Sequence, residues 1–117
     1  MIFYSRPALE WLARSRIIYC DGTFKTVPKQ FYQMYTMHGV VYGHVFPLVY
    51  SLTSRKTQET YETIFRHVKR EIQNLGLQMN VRTVTTDFEL AAMNAARVIL
   101  RPRDGIHGCL FHFSQSL

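Results

Sequence analysis

IIYCDGTF, residues 17–24, decides how the rest of the chain is read. β-Branched and aromatic side chains fill it, which is the composition of a buried strand. Yet Asp21 stands inside it, directly ahead of Gly22. Aspartate is disfavoured in strands, so its presence points to a strand that delivers a polar group. A second segment repeats the pattern, because VRTVTTD, residues 81–87, is a β-branched run that closes on Asp87. Asp104 is the remaining aspartate of the chain.

Working outward, PALEWLAR (7–14) predicts a short helix with Ser5 as its cap and Pro7 in its first turn. After a break at Val27-Pro28-Lys29, FYQMYTMHGVV (31–41) predicts a second strand, and Tyr42-Gly43 leads into a third, HVFPLVYSLT (44–53). Pro47 lies inside that third strand; proline donates no ladder hydrogen bond, so an edge position is expected. Residues 58–75 carry the clearest helical pattern, with Tyr61, Ile64, Phe65, Val68, Ile72 and Leu75 on one stripe, Thr57 as N-cap and Gly76 as stop. A second helix is expected at about 89–100, its alanines Ala91, Ala92, Ala95 and Ala96 allowing close approach to a sheet, and Pro102 ends it. Residues 106–111 predict a last strand.

The order β-β-β-α-β-α-β implies an α/β fold: a mixed five-stranded sheet of three antiparallel strands and two parallel crossovers, with flanking helices. Residues 1–16 are read as an N-terminal helix and lead-in, and 17–117 as the domain proper.

A chain of 117 residues with 47% hydrophobic and 19% charged residues is a single globular domain, not a disordered segment. No apolar run suits a membrane span, and no secretory signal pattern opens the chain. Cys20 and Cys109 suggest no disulfide framework, so an intracellular, reducing compartment is expected. The net charge of +6 suits a polyanionic partner. The basic residues are scattered along the sequence, however, and patches rather than totals carry the information.

If the first and fourth strands are parallel neighbours, Asp21 and Asp87 meet at the carboxyl edge of the sheet, where ligand sites gather. Two carboxylates ~4 Å apart repel by about 4 kcal/mol at an effective dielectric near 20, which calls for a shared proton, a positive partner or a cation. Oxygen-only ligation suits Mg²⁺, and such a site activates an oxygen for in-line attack on phosphate. A plainer reading stands beside this one: Asp87 as N-cap of the helix near Glu89, and Asp21 serving a turn at Gly22. Cys109 and His112 have the spacing of half a zinc site, but a second ligand pair is missing, so a packed cysteine and histidine are expected and zinc is not. His38, His44 and His67 read as structural, and Cys20 as a small hydrophobe facing away from Asp21.

DGTFKTVPKQFYQMYTMHG, GHVFPLVYSL, TQETY, TVTTDFELAAMNA and GCLFHFSQS, in this order from Ile17 to the C-terminus, resemble the transposases of Mutator-like elements (MULE). The resemblance implies a ribonuclease H-like core and a catalytic Asp-Asp-Glu triad holding Mg²⁺ or Mn²⁺. It implies DNA as partner, through transposon ends and target, a homo-oligomer in the full-length protein, and a nuclear location. Asp21 matches the first family aspartate, Asp87 the second, and Cys109 with His112 the CxxH feature that follows. The family's glutamate belongs beyond that feature, where this chain stops at Leu117; neither Glu89 nor Asp104 fits its place, so the domain is expected to be incomplete at its C-terminus. Lys25 and Lys29 are candidate phosphate contacts. The expected function is metal-dependent DNA cleavage and strand transfer. The alternative is a transposase-derived DNA-binding or regulatory protein without chemistry of its own.

Overall fold

The computed structural model describes the backbone of residues 1–27, 30–87 and 89–108, with their side chains except at 24–32. The elements run β1 (Ile2–Phe3), α1 (Arg6–Arg14), β2 (Ile17–Val27), β3 (Gln30–Val41), β4 (His44–Thr53), α2 (Gln58–Asn74), β5 (Thr83–Thr86), α3 (Leu90–Ile99) and β6 (Ile106–Gly108). Where these bounds differ from the sequence expectation, they do so mostly by a residue or two at element ends, where hydrogen bonding frays; residues 109–111 of the expected last strand lie outside the described residues.

One sheet takes the strands in the order β1-β4-β3-β2-β5-β6. β2, β3 and β4 form the expected antiparallel meander. β5 joins β2 in parallel, and β6 joins β5 in parallel. Among the described residues the sheet therefore has six strands rather than the five expected, the addition being β1, whose two residues are too few to show a period. Ile2 pairs with Ser51 and Phe3 with Tyr50, so the edge belongs to β1 and not to β4. Pro47 nonetheless lies outside the stretch that β1 covers, and the register of β3 against β4 shifts beside it, between Met37 and His38.

Local chemistry explains the helices. Ser5 caps α1 by accepting a hydrogen bond from the Ala8 N–H at 3.2 Å, and Thr57 caps α2 through the Thr60 N–H at 3.2 Å. Tyr61, Ile64, Phe65, Val68 and Ile72 are all buried, so the stripe read from the sequence is the face that packs. α3 buries Ala92, Ala95 and Ala96, and the close approach that these small side chains allow is mainly to α2 rather than to the sheet expected from the sequence. The three helices share one core with Ile18, Cys20, Tyr35, Met37 and Val84 from the sheet. The Tyr35 ring meets Tyr61 at 4.8 Å and Phe65 at 6.0 Å. Strand alternation sends Tyr19, Asp21 and His38 to the other face, where they remain half-buried.

His67 is structural, as expected, since its Nε2 lies 3.2 Å from the Tyr4 hydroxyl. Lys69 reaches from α2 to the carboxyl end of α3, donating to the Ile99 carbonyl at 3.1 Å.

Candidate active site

β2 and β5 run in parallel register from Ile17 opposite Thr83 to Cys20 opposite Thr86. Asp21 and Asp87 each follow that last rung, so their backbones are neighbours where the parallel ladder ends, on strands ~4.8 Å apart. The Cys20 thiol beneath them feels both. Burial pushes it up to about 12, and the charges of Asp21 and Asp87 each push in the same direction. Cys20 is buried and packs as the small hydrophobe expected.

The plainer roles considered for the two aspartates do not match their surroundings. β2 continues through Gly22, which pairs with Tyr35, as far as Val27, so Asp21 lies in extended strand rather than at a turn. The N-cap of α3 is Glu89, not Asp87. Asp87 instead accepts a hydrogen bond from the Thr86 hydroxyl at 3.4 Å.

His38 is the neighbour that sequence reasoning missed. Tyr19 pairs with His38 and Asp21 with Thr36, which places His38 diagonally from Asp21 on the same face. Its Nδ1 lies 3.8 Å from the Asp21 carboxylate and 3.2 Å from the Tyr19 carbonyl. With the proton on Nδ1, the ring donates to that carbonyl and stands beside the carboxylate. The strand pattern of 31–41 held the signal, but only the register against β2 converts it into a position.

Behind the rim runs a polar chain. The Tyr61 hydroxyl donates to the Glu89 carboxylate at 2.8 Å, and the Gln33 side chain lies 3.1 Å from the same hydroxyl. The atom of Gln33 at that distance is Oε1, an acceptor like the Glu89 carboxylate, so the single phenol proton lies between two acceptors and the shorter contact is the one to Glu89. Burial first, then the bond to Glu89, raises the Tyr61 pKa, so this proton stays in place. Gln33 owes its position to Gly22, where any Cβ would overlap the Gln33 amide. The Tyr35 hydroxyl is buried nearby with no hydrogen-bond partner among the described residues.

Among the described residues neither Asp21 nor Asp87 has a Lys or Arg partner. Carboxylates on neighbouring strands without a Lys or Arg partner are oxygen donors of the kind a hard divalent ion prefers, with open positions for water or phosphate oxygens. No group of three His, Cys, Asp or Glu side chains suited to a metal gathers among the described residues, so the pair supplies only part of a coordination shell. The side chain of Lys25, and Lys29, Cys109 and His112 altogether, lie outside the described residues. Among the described residues no helix is long and apolar enough to cross a membrane.

Comparison with known proteins bears on the family and the fold. The family model of the MULE transposase domain matches residues 17–116. No curated protein matches the chain. Among solved structures, the HTLV-2 integrase catalytic core domain in complex with magnesium is similar in its dimeric form, at a TM-score of 0.52 and 19% identity, covering 90% of this chain and 67% of that one. Its trimeric form gives 0.50 and 16%, with the same coverage. A chain of the simian T-cell lymphotropic virus intasome, bound to the PP2A regulatory subunit B56 gamma, gives 0.51 and 17% over 84% of this chain; this chain spans 32% of its length. At these identities the likeness establishes the fold, which is ribonuclease H-like.

Proposed function

Because this chain belongs to the MULE transposase domain family, we propose that it is the part of a DNA transposase that holds the first two metal-binding carboxylates. The observation that carries the proposal is the parallel rung from Cys20 to Thr86, which makes Asp21 and Asp87 neighbours at the end of the ladder with no Lys or Arg partner among the described residues. The resemblance supplies the rest: a third carboxylate beyond Cys109 and His112, from the polypeptide that carries out the full reaction.

Asp21 and Asp87 would hold Mg²⁺ or Mn²⁺ and, through it, orient the phosphate to be cut. The ion, when bound, supplies Lewis-acid activation of the attacking oxygen, water for cleavage and a 3′-hydroxyl for joining. The rigid parallel pair sets the spacing of the two carboxylates before any ligand arrives. His38 positions Asp21 from the open face, and Tyr61 anchors the Glu89 carboxylate two positions beyond Asp87.

A second, non-catalytic role as a DNA-binding protein is favoured by the absence of a third ligating side chain beside the pair among the described residues. Calorimetric titration of Mn²⁺ into the wild type and into Asp21→Asn and Asp87→Asn separates the two. Binding by the wild type that is lost in both variants supports the metal site. Equal binding in all three discards it.

A further inference from the structure

Seen in the sequence, the basic residues are scattered; in the fold, five arginines meet at one rim. Arg14 and Arg16 lie in the passage from α1 into β2, Arg82 directly precedes β5, and Arg101 and Arg103 lie between α3 and β6. Those three strands are parallel neighbours, so all five side chains emerge at their amino ends, opposite Asp21 and Asp87. All five are exposed. The backbone binds the loops into one surface: Arg82 N–H donates to the Arg16 carbonyl at 2.7 Å, and Asp104 N–H to the Arg82 carbonyl at 2.6 Å. Asp104 is the acidic group of these loops, and it pairs with Arg82 at 3.1 Å. Arg14 and Arg101 also offset the negative ends of α1 and α3, but Arg16, Arg82 and Arg103 stand on connecting segments where that effect gives them no reason to be.

A second observation concerns an aromatic residue at the same rim. The turn between β3 and β4 is Tyr42-Gly43, with φ of 50° and 79°. A bulky side chain is disfavoured in this left-handed conformation, and asparagine is the residue such hairpin turns prefer. Tyr42 is also 84% exposed, so burial does not compensate for the strain. Its ring meets the edge of Trp11 at 4.9 Å, and Arg14 lies over Trp11 at 5.1 Å. Ser15 fixes the hairpin to α1, accepting from the Val40 N–H at 2.9 Å and donating to the Trp11 carbonyl at 2.8 Å. A strained, displayed aromatic flanked by guanidinium groups on a rigid base fits a nucleic-acid strand, with phosphates on the arginines and a flat group on the ring.

We propose that this amino-terminal rim is a second DNA-contact surface, separate from the carboxylate rim, taking phosphates on Arg14, Arg16, Arg82, Arg101 and Arg103 and a sugar or unpaired base on Tyr42. It rests on DNA as the substrate but not on metal chemistry. Asp21 lies five positions beyond Arg16, roughly 17 Å at ~3.3 Å per residue, so one duplex lying against the rim leaves the carboxylates free for another segment.

The test is fluorescence anisotropy of a labelled duplex with the full chain in EDTA, which removes the carboxylate pair's metal from the measurement. The double variant Arg16→Ala with Arg103→Ala is expected to bind about tenfold more weakly, with a salt slope shallower by about two. Arg66→Ala with Arg70→Ala removes the same charge from the outer face of α2 and is expected to bind near wild-type strength. Tyr42→Asn suits the turn, so it is expected to keep the melting temperature while weakening binding severalfold. Equal affinities for the two double variants overturn the proposal. So does displacement of the duplex by polyglutamate as readily as by unlabelled DNA, which makes the rim a contact for an acidic protein. Loss of Mn²⁺ binding in the Asp21 and Asp87 variants is a separate result, so either idea can fail alone.

Discussion

The Tyr61 hydroxyl of α2 reaches the carboxylate of Glu89 at 2.8 Å, tying the long helix to the residue that starts α3, two positions beyond Asp87. Twenty-eight residues separate the partners in sequence. Tyr61→Phe removes the donor and leaves a half-buried carboxylate and the Gln33 amide without it. A loss of about 1–2 kcal/mol is expected in urea unfolding. Glu89→Gln keeps an acceptor and is expected to cost less.

Gly22 makes room for Gln33, the other partner of Tyr61. Gly22→Ala is expected to destabilise by about 1–3 kcal/mol through overpacking. Gln33→Ala in the same chain opens the space again, so the double variant should be more stable than the sum of the two single losses predicts. Strict additivity in thermal unfolding would contradict the contact.

The buried Tyr35 hydroxyl has no hydrogen-bond partner among the described residues, an unusual cost in a core. Tyr35→Phe keeps the ring against Tyr61 and Phe65 and deletes the unpaired group. Stability is expected to stay level or rise by about 1 kcal/mol, read from the urea midpoint. A clear loss would show that the hydroxyl is satisfied in solution.

Alkaline pH should unfold the domain from its centre. Burial raises Cys20 from its ordinary 9.0 to about 12 and also raises Tyr35 and Tyr61, so the folded state holds these protons more tightly than the unfolded chain. The sign follows: the stabilisation is complete below the unfolded value, near 9 for the thiol, and drains away as pH climbs toward 12. Melting temperatures measured from neutral pH upward are expected to fall once pH passes that lower value. In Cys20→Ala the fall should be shallower.

Much of this architecture was legible in the order of residues. The stripe from Tyr61 to Ile72 is the buried face of α2, and the β-branched runs around Cys20 and Val84 are the paired strands. Those features repeat over one or two turns or rungs, so a local window contains them. β1 was not legible, because Ile2 and Phe3 gain their role only by meeting Ser51 and Tyr50. Pro47 suggested an edge strand for a sound local reason, but which strand lies outermost depends on that distant pairing.

At the site, the residue types alone marked Asp21 and Asp87, since aspartate in an apolar strand has few reasons to be there. Alternation even separated Cys20 from Asp21. Sequence by itself thus determined the elements, the buried faces and which acidic side chains stand out, because side-chain period and backbone propensity are properties of neighbours along the chain. Tertiary structure alone decided that His38 stands beside Asp21, that Gln33 fills the space over Gly22, and that arginines spread from position 14 to 103 share one rim. Those relations are set by strand register and crossover geometry, in which hydrogen bonds join residues that no local pattern links.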